Sequence, residues 1–165
     1  MVVKCAQFGF KLPVRLTPAS LAMLRNTADC QADLERFINR VAASETVWYL
    51  RSEHGTASCE SNDFTADDDG PVTVLLYFSD EAYARRCQNA QFDDHTIESM
   101  PLFDFLFRWL PGMSGDGVMA GPNWNHELVG LELDPLELRE QIDSALSPAQ
   151  MATHAERYRS LTQLP

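Results

Sequence analysis

From Leu102 to Leu110 the chain reads LFDFLFRWL. At one helical turn per 3.6 residues, Leu102, Phe103, Phe105, Leu106, Phe107, Trp109 and Leu110 cover an apolar arc of about 200°, with only Asp104 and Arg108 outside it. A surface helix shows a narrower stripe. The pattern predicts a helix from Pro101 to Pro111-Gly112, buried between two layers. Leu34, Phe37, Ile38, Val41 and Ala42 recur at i, i+3, i+4, i+7 and i+8, which predicts a core-facing helix from about Asp29. Ser79-Asp80-Glu81 caps a further helix, in which Tyr83 and Cys87 share a side and Arg85 and Arg86 fall towards the end. Asp134, with Glu137 three residues on, opens another with a stripe of Leu138, Ile142 and Leu146. Thr17-Pro18 starts a helix with Leu21, Leu24 and Ala28 on one face. Ser147-Pro148 starts the last, over 148–161, with a narrow seam of Met151, Ala155, Tyr158 and Leu161.

Other apolar runs have strand character. VTVLLYF, residues 72–78, is apolar on both faces and reads as a central strand covered on each side. Residues 47–51 and 56–60 flank Ser52-Glu53-His54-Gly55 and read as a hairpin with Trp48 and Leu50 on one face. Residues 96–99, 117–121 and 128–133 read as strands, the last two joined by Pro122-Asn123-Trp124-Asn125-His126-Glu127. Residues 1–16 read as an edge strand or a tail, and 62–70, with Asp63, Asp67, Asp68 and Asp69, as a polar loop. Interleaved strands and helices predict one α+β domain over residues 1–165, a mixed five- or six-stranded sheet with helices packed on it. A chain of this length can bury about 70% of its unfolded surface without a disulfide or metal staple.

Charge and cysteine usage narrow the function classes. With 13 basic and 24 acidic residues the net charge is -11, which argues against non-specific attraction to nucleic acid or anionic membranes; it would attract a basic partner, but before that it is a statement about solubility. Cys5, Cys30, Cys59 and Cys87 lie 25 to 29 residues apart with no CxxC pair, which suits free thiols in a reducing cytoplasm. Lys4, Gln7, Gly9 and Lys11 interrupt any apolar run of signal-peptide length at the start, and nowhere is there a stretch long enough to span a membrane.

Motifs for chemistry are sparse. Placing Asp67, Asp69 and Gly70 at positions 3, 5 and 6 of a calcium loop leaves Thr65 and Leu76 at positions 1 and 12, where carboxylates are required. His126-Glu127 lacks a second histidine, since position 130 is Gly130, and His54, His95 and His154 are scattered, so no metal is expected. Gly115, Gly117 and Gly121 miss the dinucleotide spacing by one residue, no GxSxG is present, and no cofactor is expected. Asp104 and Arg108, four apart, read as an ion pair on the one polar face of the Phe-rich helix, or as a grip on a charged ligand. The turn Asn123-Trp124-Asn125-His126 is the candidate binding site, because an aromatic surface beside amide groups suits a contact patch. In the alternative, Trp124 folds onto the core while Asn123 and Asn125 bond the turn backbone.

The order of FINRVAASETVWYL, YFSDEAYARRC, MPLFDFLFRWLPGMSGDGVMAGPNWN and LVGLELDPLELREQI resembles a bacterial family catalogued as domain of unknown function 2750, over about residues 32–142. Trp48, Tyr83-Ala84, Trp109-Leu110-Pro111 and Asn123-Trp124 carry the likeness. It implies no activity, and it leaves residues 1–16 and the helix at 148–161 outside. A fainter similarity to enhanced-serine-sensitivity (SseB) domains lies in the order of elements and implies only the mixed sheet. Two functions are expected from these readings. The first is a non-enzymatic protein-interaction or accessory domain, one form being an antidote to a basic toxin. The second is a small enzyme or ligand binder whose site combines Asp104, Arg108, His126 and Cys59 or His54.

Overall fold

The computed structural model describes residues 27–65 and 70–162. The segment at 1–16, the helix opened by Thr17-Pro18, Cys5 and positions 66–69 lie outside them. Helix α1 (Thr27–Ser44) buries Cys30, Leu34, Phe37, Val41 and Ala42, the face that the i, i+3, i+4 spacing requires. Strand β1 (Thr46–Ser52) turns at Glu53-His54 into β2 (Gly55–Thr56), with Ser52 opposite Gly55. The connection is therefore two residues rather than four, and Gly55 takes φ 127, where a side chain would be strained. Ala57 donates to Leu50 O and accepts from Leu76 N, carrying the chain from β1 across to β3 (Ser58–Thr65) and β4 (Pro71–Phe78). β3 extends to Thr65, opposite Pro71, so residues 62–65 are strand and not loop. The register shifts between Glu60 and Thr65, so the strand crosses an irregularity before it pairs again with β4.

Among the described residues the sheet has six strands. β5 (Thr96–Pro101) pairs antiparallel with β1, and β6 (Met119–Pro122) pairs parallel with β4, so the sheet is mixed. Central β4 is covered on both faces, as its unbroken apolar run requires. Val74, Leu76 and Phe78 face a cluster completed by Leu50, Ala84, Cys87 and Trp124, while Tyr77 faces the larger cluster of α1 and the Phe-rich helix. Helix α2 (Glu81–Gln91) covers the first face, capped by Asp80, whose carboxylate accepts from Tyr83 N. It runs to Gln91, so Arg85 and Arg86 lie mid-helix, not at its end. Arg85 pairs with Glu81 one turn back, and Arg86 lies 4.3 Å over the Tyr83 ring.

On the other face, α3 (Leu102–Asp104) runs into a π-helical turn (Phe105–Trp109) and then α4 (Leu110–Gly115). Proline does not stop this helix. Pro111 has no N–H and its ring would crowd the carbonyl four residues back, and the wider turn, with Leu110 N bonding Phe105 O, lets the helix continue to Gly115. Leu102, Phe103, Phe105, Leu106 and Leu110 are buried as expected, Phe105 meeting Tyr77 of the sheet at 4.8 Å and Phe37 of α1 at 6.4 Å. α5 (Pro135–Ala145) starts at Asp134, whose carboxylate accepts from Leu136 N and Glu137 N, and it buries Leu138 and Ile142. α6 (Pro148–Thr162) departs from expectation. His154 is its buried residue, while Met151, Tyr158 and Leu161 are 41–45% exposed. Finally, residues 128–133 form no strand and make one bridge, Leu133 to Ala120.

Candidate functional site

The parallel strands β4 and β6 end side by side, and the chain leaving β6 does so on Asn123. This residue is fully buried at φ 50, a left-handed conformation that asparagine tolerates better than most residues. Its backbone N–H and both polar atoms of its side-chain amide are used. Its N–H donates to Tyr77 O at 2.8 Å, Oδ1 accepts from Ser79 N at 2.8 Å, and Nδ2 donates to Ser79 Oγ at 3.1 Å and to Asp33 O at 3.2 Å. One side chain thus ties together the ends of both strands and α1. Tyr83 OH donates to Asp33 Oδ1 at 3.0 Å, and Arg36 bonds both Asp33 and Tyr83, closing a partly buried polar network.

Trp124 is 2% exposed, and its Nε1 donates to Leu131 O at 2.8 Å. It is folded onto the core, the alternative that the sequence left open, and neither it nor Asn123 is presented to a partner in this conformation. Gly130 lies directly against the indole, where a Cβ would sit 2.2 Å from Trp124 Cδ1. Asn125 Oδ1 accepts from Glu127 N and Val129 N at 3.0 and 2.9 Å, and Leu128 takes φ 58. The turn is therefore wound by side-chain bonds, which is why LVGLEL does not extend as a strand despite its composition. Of the four expected site residues, His126 alone is fully on the surface, Asn125 being half-buried.

The wound turn delivers residues 131–133 as a fixed strap between α1 and α5. There a groove of about 210 Å³ is lined by Leu34, Leu131, Leu133, Glu132, Glu137 and Gln141. Glu132 is only 5% exposed and accepts a hydrogen bond from Ser61 Oγ. Its charge, after burial itself, pushes the Cys59 thiol up to about 12, so Cys59 is no thiolate nucleophile at neutral pH. Sequence reading missed this groove. A glutamate inside LVGLEL looks solvent-facing, and only the turn reverses that.

The dispersed set for an enzyme is not brought together. Arg108 lines one depression and His54 another, Asp104 pairs with Arg108 at 3.5 Å and with Arg157 at 3.8 Å, and His126 stands on the far turn. His54 shares its polar pocket with His95, whose bond to Asp94 holds that carboxyl below its usual range. Among the described residues, no group of three or more histidines, cysteines or carboxylates could hold a metal, and no helix is long and apolar enough to cross a membrane.

Residues 34–142 match the model of the family described as "Protein of unknown function (DUF2750)". The chain belongs to that family. The matched span of this DUF2750 chain runs from α1 to α5 and holds Asn123, Trp124 and the whole strap, so the resemblance drawn from about 32–142 holds. No curated protein and no solved structure matches, and the likeness to SseB domains finds no support.

Proposed function

We propose that this DUF2750 protein is a non-enzymatic interaction or accessory domain of the cytoplasm, and that it receives a basic segment of a protein partner. The observation that carries the reading is the groove beside the strap, lined by Glu132 and Glu137 together with Leu34, Leu131 and Leu133. A lysine or arginine side chain has the matching form, an apolar stem and a cationic head. The surplus of 24 acidic over 13 basic residues steers such a partner from a distance. Asn123 and Trp124 serve the site from beneath by fixing the strap, Asn125 shapes the turn, and His126 offers an exposed contact at its tip. An antidote that blocks a basic toxin is the specific form this suggests.

Capture from bacterial lysate, followed by carboxyl-to-lysine cross-linking and peptide mapping, tests the proposal. Cross-links at Glu137, with capture lost in Glu137→Lys and at raised salt, are the expected result. Capture that ignores both the substitution and the salt overturns it.

A further inference from the structure

A second, larger cavity lies outside the matched family span for most of its wall. It has a volume of about 440 Å³ and opens between the π-helical turn, α5 and α6. Cavities of this size suit a small organic ligand. Its floor is apolar: Phe107 lies against Tyr158 at 5.1 Å, with Leu146 and Met151 beside them. Tyr158 and Met151 remain 45% and 44% exposed. The seam on α6 therefore borders a hollow beside its contact with Phe107.

The charges around this hollow are inverted relative to the rest of the chain. Residues 27–165 hold 9 basic and 24 acidic residues, obtained by removing Lys4, Lys11, Arg15 and Arg25 from the full count of 13. Yet two guanidinium groups and one carboxylate line the cavity. Arg139 lies 4.5 Å over the Phe107 ring and 3.6 Å from Asp143, so its charge is already answered. Arg159 donates Nε to Ala155 O at 3.3 Å and pairs with no carboxylate among the described residues. His154 also contributes to the wall, with 8% of its side chain exposed. Its Nε2 is 3.4 Å from Glu45, and its buried Nδ1 has no hydrogen-bond partner. An apolar floor with one unanswered guanidinium at its rim, and a spare imidazole nitrogen behind it, matches a molecule with an apolar body and a single anionic end.

We propose that this cavity is a binding site for an amphiphilic carboxylate, whose tail lies over Phe107, Tyr158 and Met151 and whose carboxylate pairs with Arg159. A guanidinium–carboxylate pair is directional and charge-assisted, so the site discriminates by head group and not by apolar area alone. The site is separate from the acidic groove, and neither proposal depends on the other.

The probe is dodecanoate, added to the full chain below its micelle concentration, with dodecyltrimethylammonium as the control of equal tail and opposite charge. Titration calorimetry gives affinity, and the methyl NMR signal of Met151 reports place. Dodecanoate is expected to bind one to one, at least about tenfold tighter than the ammonium analogue, and to shift Met151 but not the buried Met113. Arg159→Gln is expected to remove the preference with the circular dichroism unchanged. Met151→Glu, which lies at an exposed position and leaves the fold intact, is expected to abolish binding of dodecanoate. Equal affinity for both amphiphiles, no binding of dodecanoate, or a preference that survives Arg159→Gln overturns the proposal. Self-association of the chain that Met151→Glu disrupts assigns the hollow to a second copy and equally overturns it.

Discussion

The Phe-rich helix and α6 both show an apolar stripe in the sequence, and the fold treats them in opposite ways. Leu102, Phe103, Phe105, Leu106 and Leu110 are at most 2% exposed, because their arc is wide enough to meet α1, the sheet and α5 on one side and, through Phe103, His154 and Arg157 of α6 on the other. The stripe of α6 is one residue wide, and only His154, edge-on to Phe103 and Phe107, is taken into the interior. Arc width, more than the number of apolar residues, decides which helix becomes core and which keeps an apolar face for something else.

Substitution should separate the two helices sharply. Phe105→Ala or Leu106→Ala is expected to cost about 3 to 5 kcal/mol in urea denaturation, through lost transfer energy and the cavity left behind. Tyr158→Ala on α6 should cost under about 1 kcal/mol, the range of an exposed position. Equal losses would mean that α6 contributes to the core after all.

Close contact against open space gives the next contrast. A methyl at Gly130 meets the indole of Trp124 at 2.2 to 2.6 Å, whereas one at Gly112, in α4, meets nothing within 4 Å. Gly130→Ala is expected to cost about 1 to 3 kcal/mol by overpacking a rigid ring. Gly112→Ala should instead raise stability by about 0.5 to 1 kcal/mol, since alanine loses less backbone entropy in a helix. Thermal melts of the two variants should therefore move in opposite directions, and a shared direction would break the assignment of one site as packed and the other as open.

Asp104 links the two helices, facing Arg108 of its own segment and Arg157 of α6. Asp104→Ala is expected to cost under about 1 kcal/mol, and the loss should shrink at high salt as surface ion pairs are screened.

A further contrast concerns pH. Burial pushes the Cys87 thiol up to about 11, and burial together with Glu132 pushes Cys59 to about 12, from an ordinary value of 9.0. A raised pKa means that the folded chain holds these protons more tightly than the unfolded one. The resulting stability is complete below pH 9 and is lost as pH climbs towards 11 and 12. The urea midpoint should fall over that window, and Cys59→Ala with Cys87→Ala should flatten the fall. A midpoint that rises with pH there would contradict the burial of both thiols.

Much of the fold was legible because period and capping are local. The stripe of α1, the Asp80 and Asp134 caps, the doubly covered β4 and the buried Phe-rich segment each follow from neighbours within two turns. The exceptions have long-range causes. Pro111 looked like a terminator until the π turn relieved its clash, and LVGLEL looked like a strand until Asn125 and the indole of Trp124 claimed its backbone. For the candidate site, the sequence singled out the turn of Asn123 and Trp124. It could not show that both side chains are buried there, because Gly130, Leu131 and Ser79 meet them only in three dimensions.

By itself, then, the sequence determined the class of fold, the main buried helix, the helix starts and the family, since hydrophobic period and terminal hydrogen bonding are properties of short stretches. Tertiary structure alone decided which carboxylates line a groove and, among the described residues, that Arg159 pairs with no carboxylate and that the seam of α6 borders a hollow. Those outcomes depend on what distant segments leave unfilled, and no local pattern records a space.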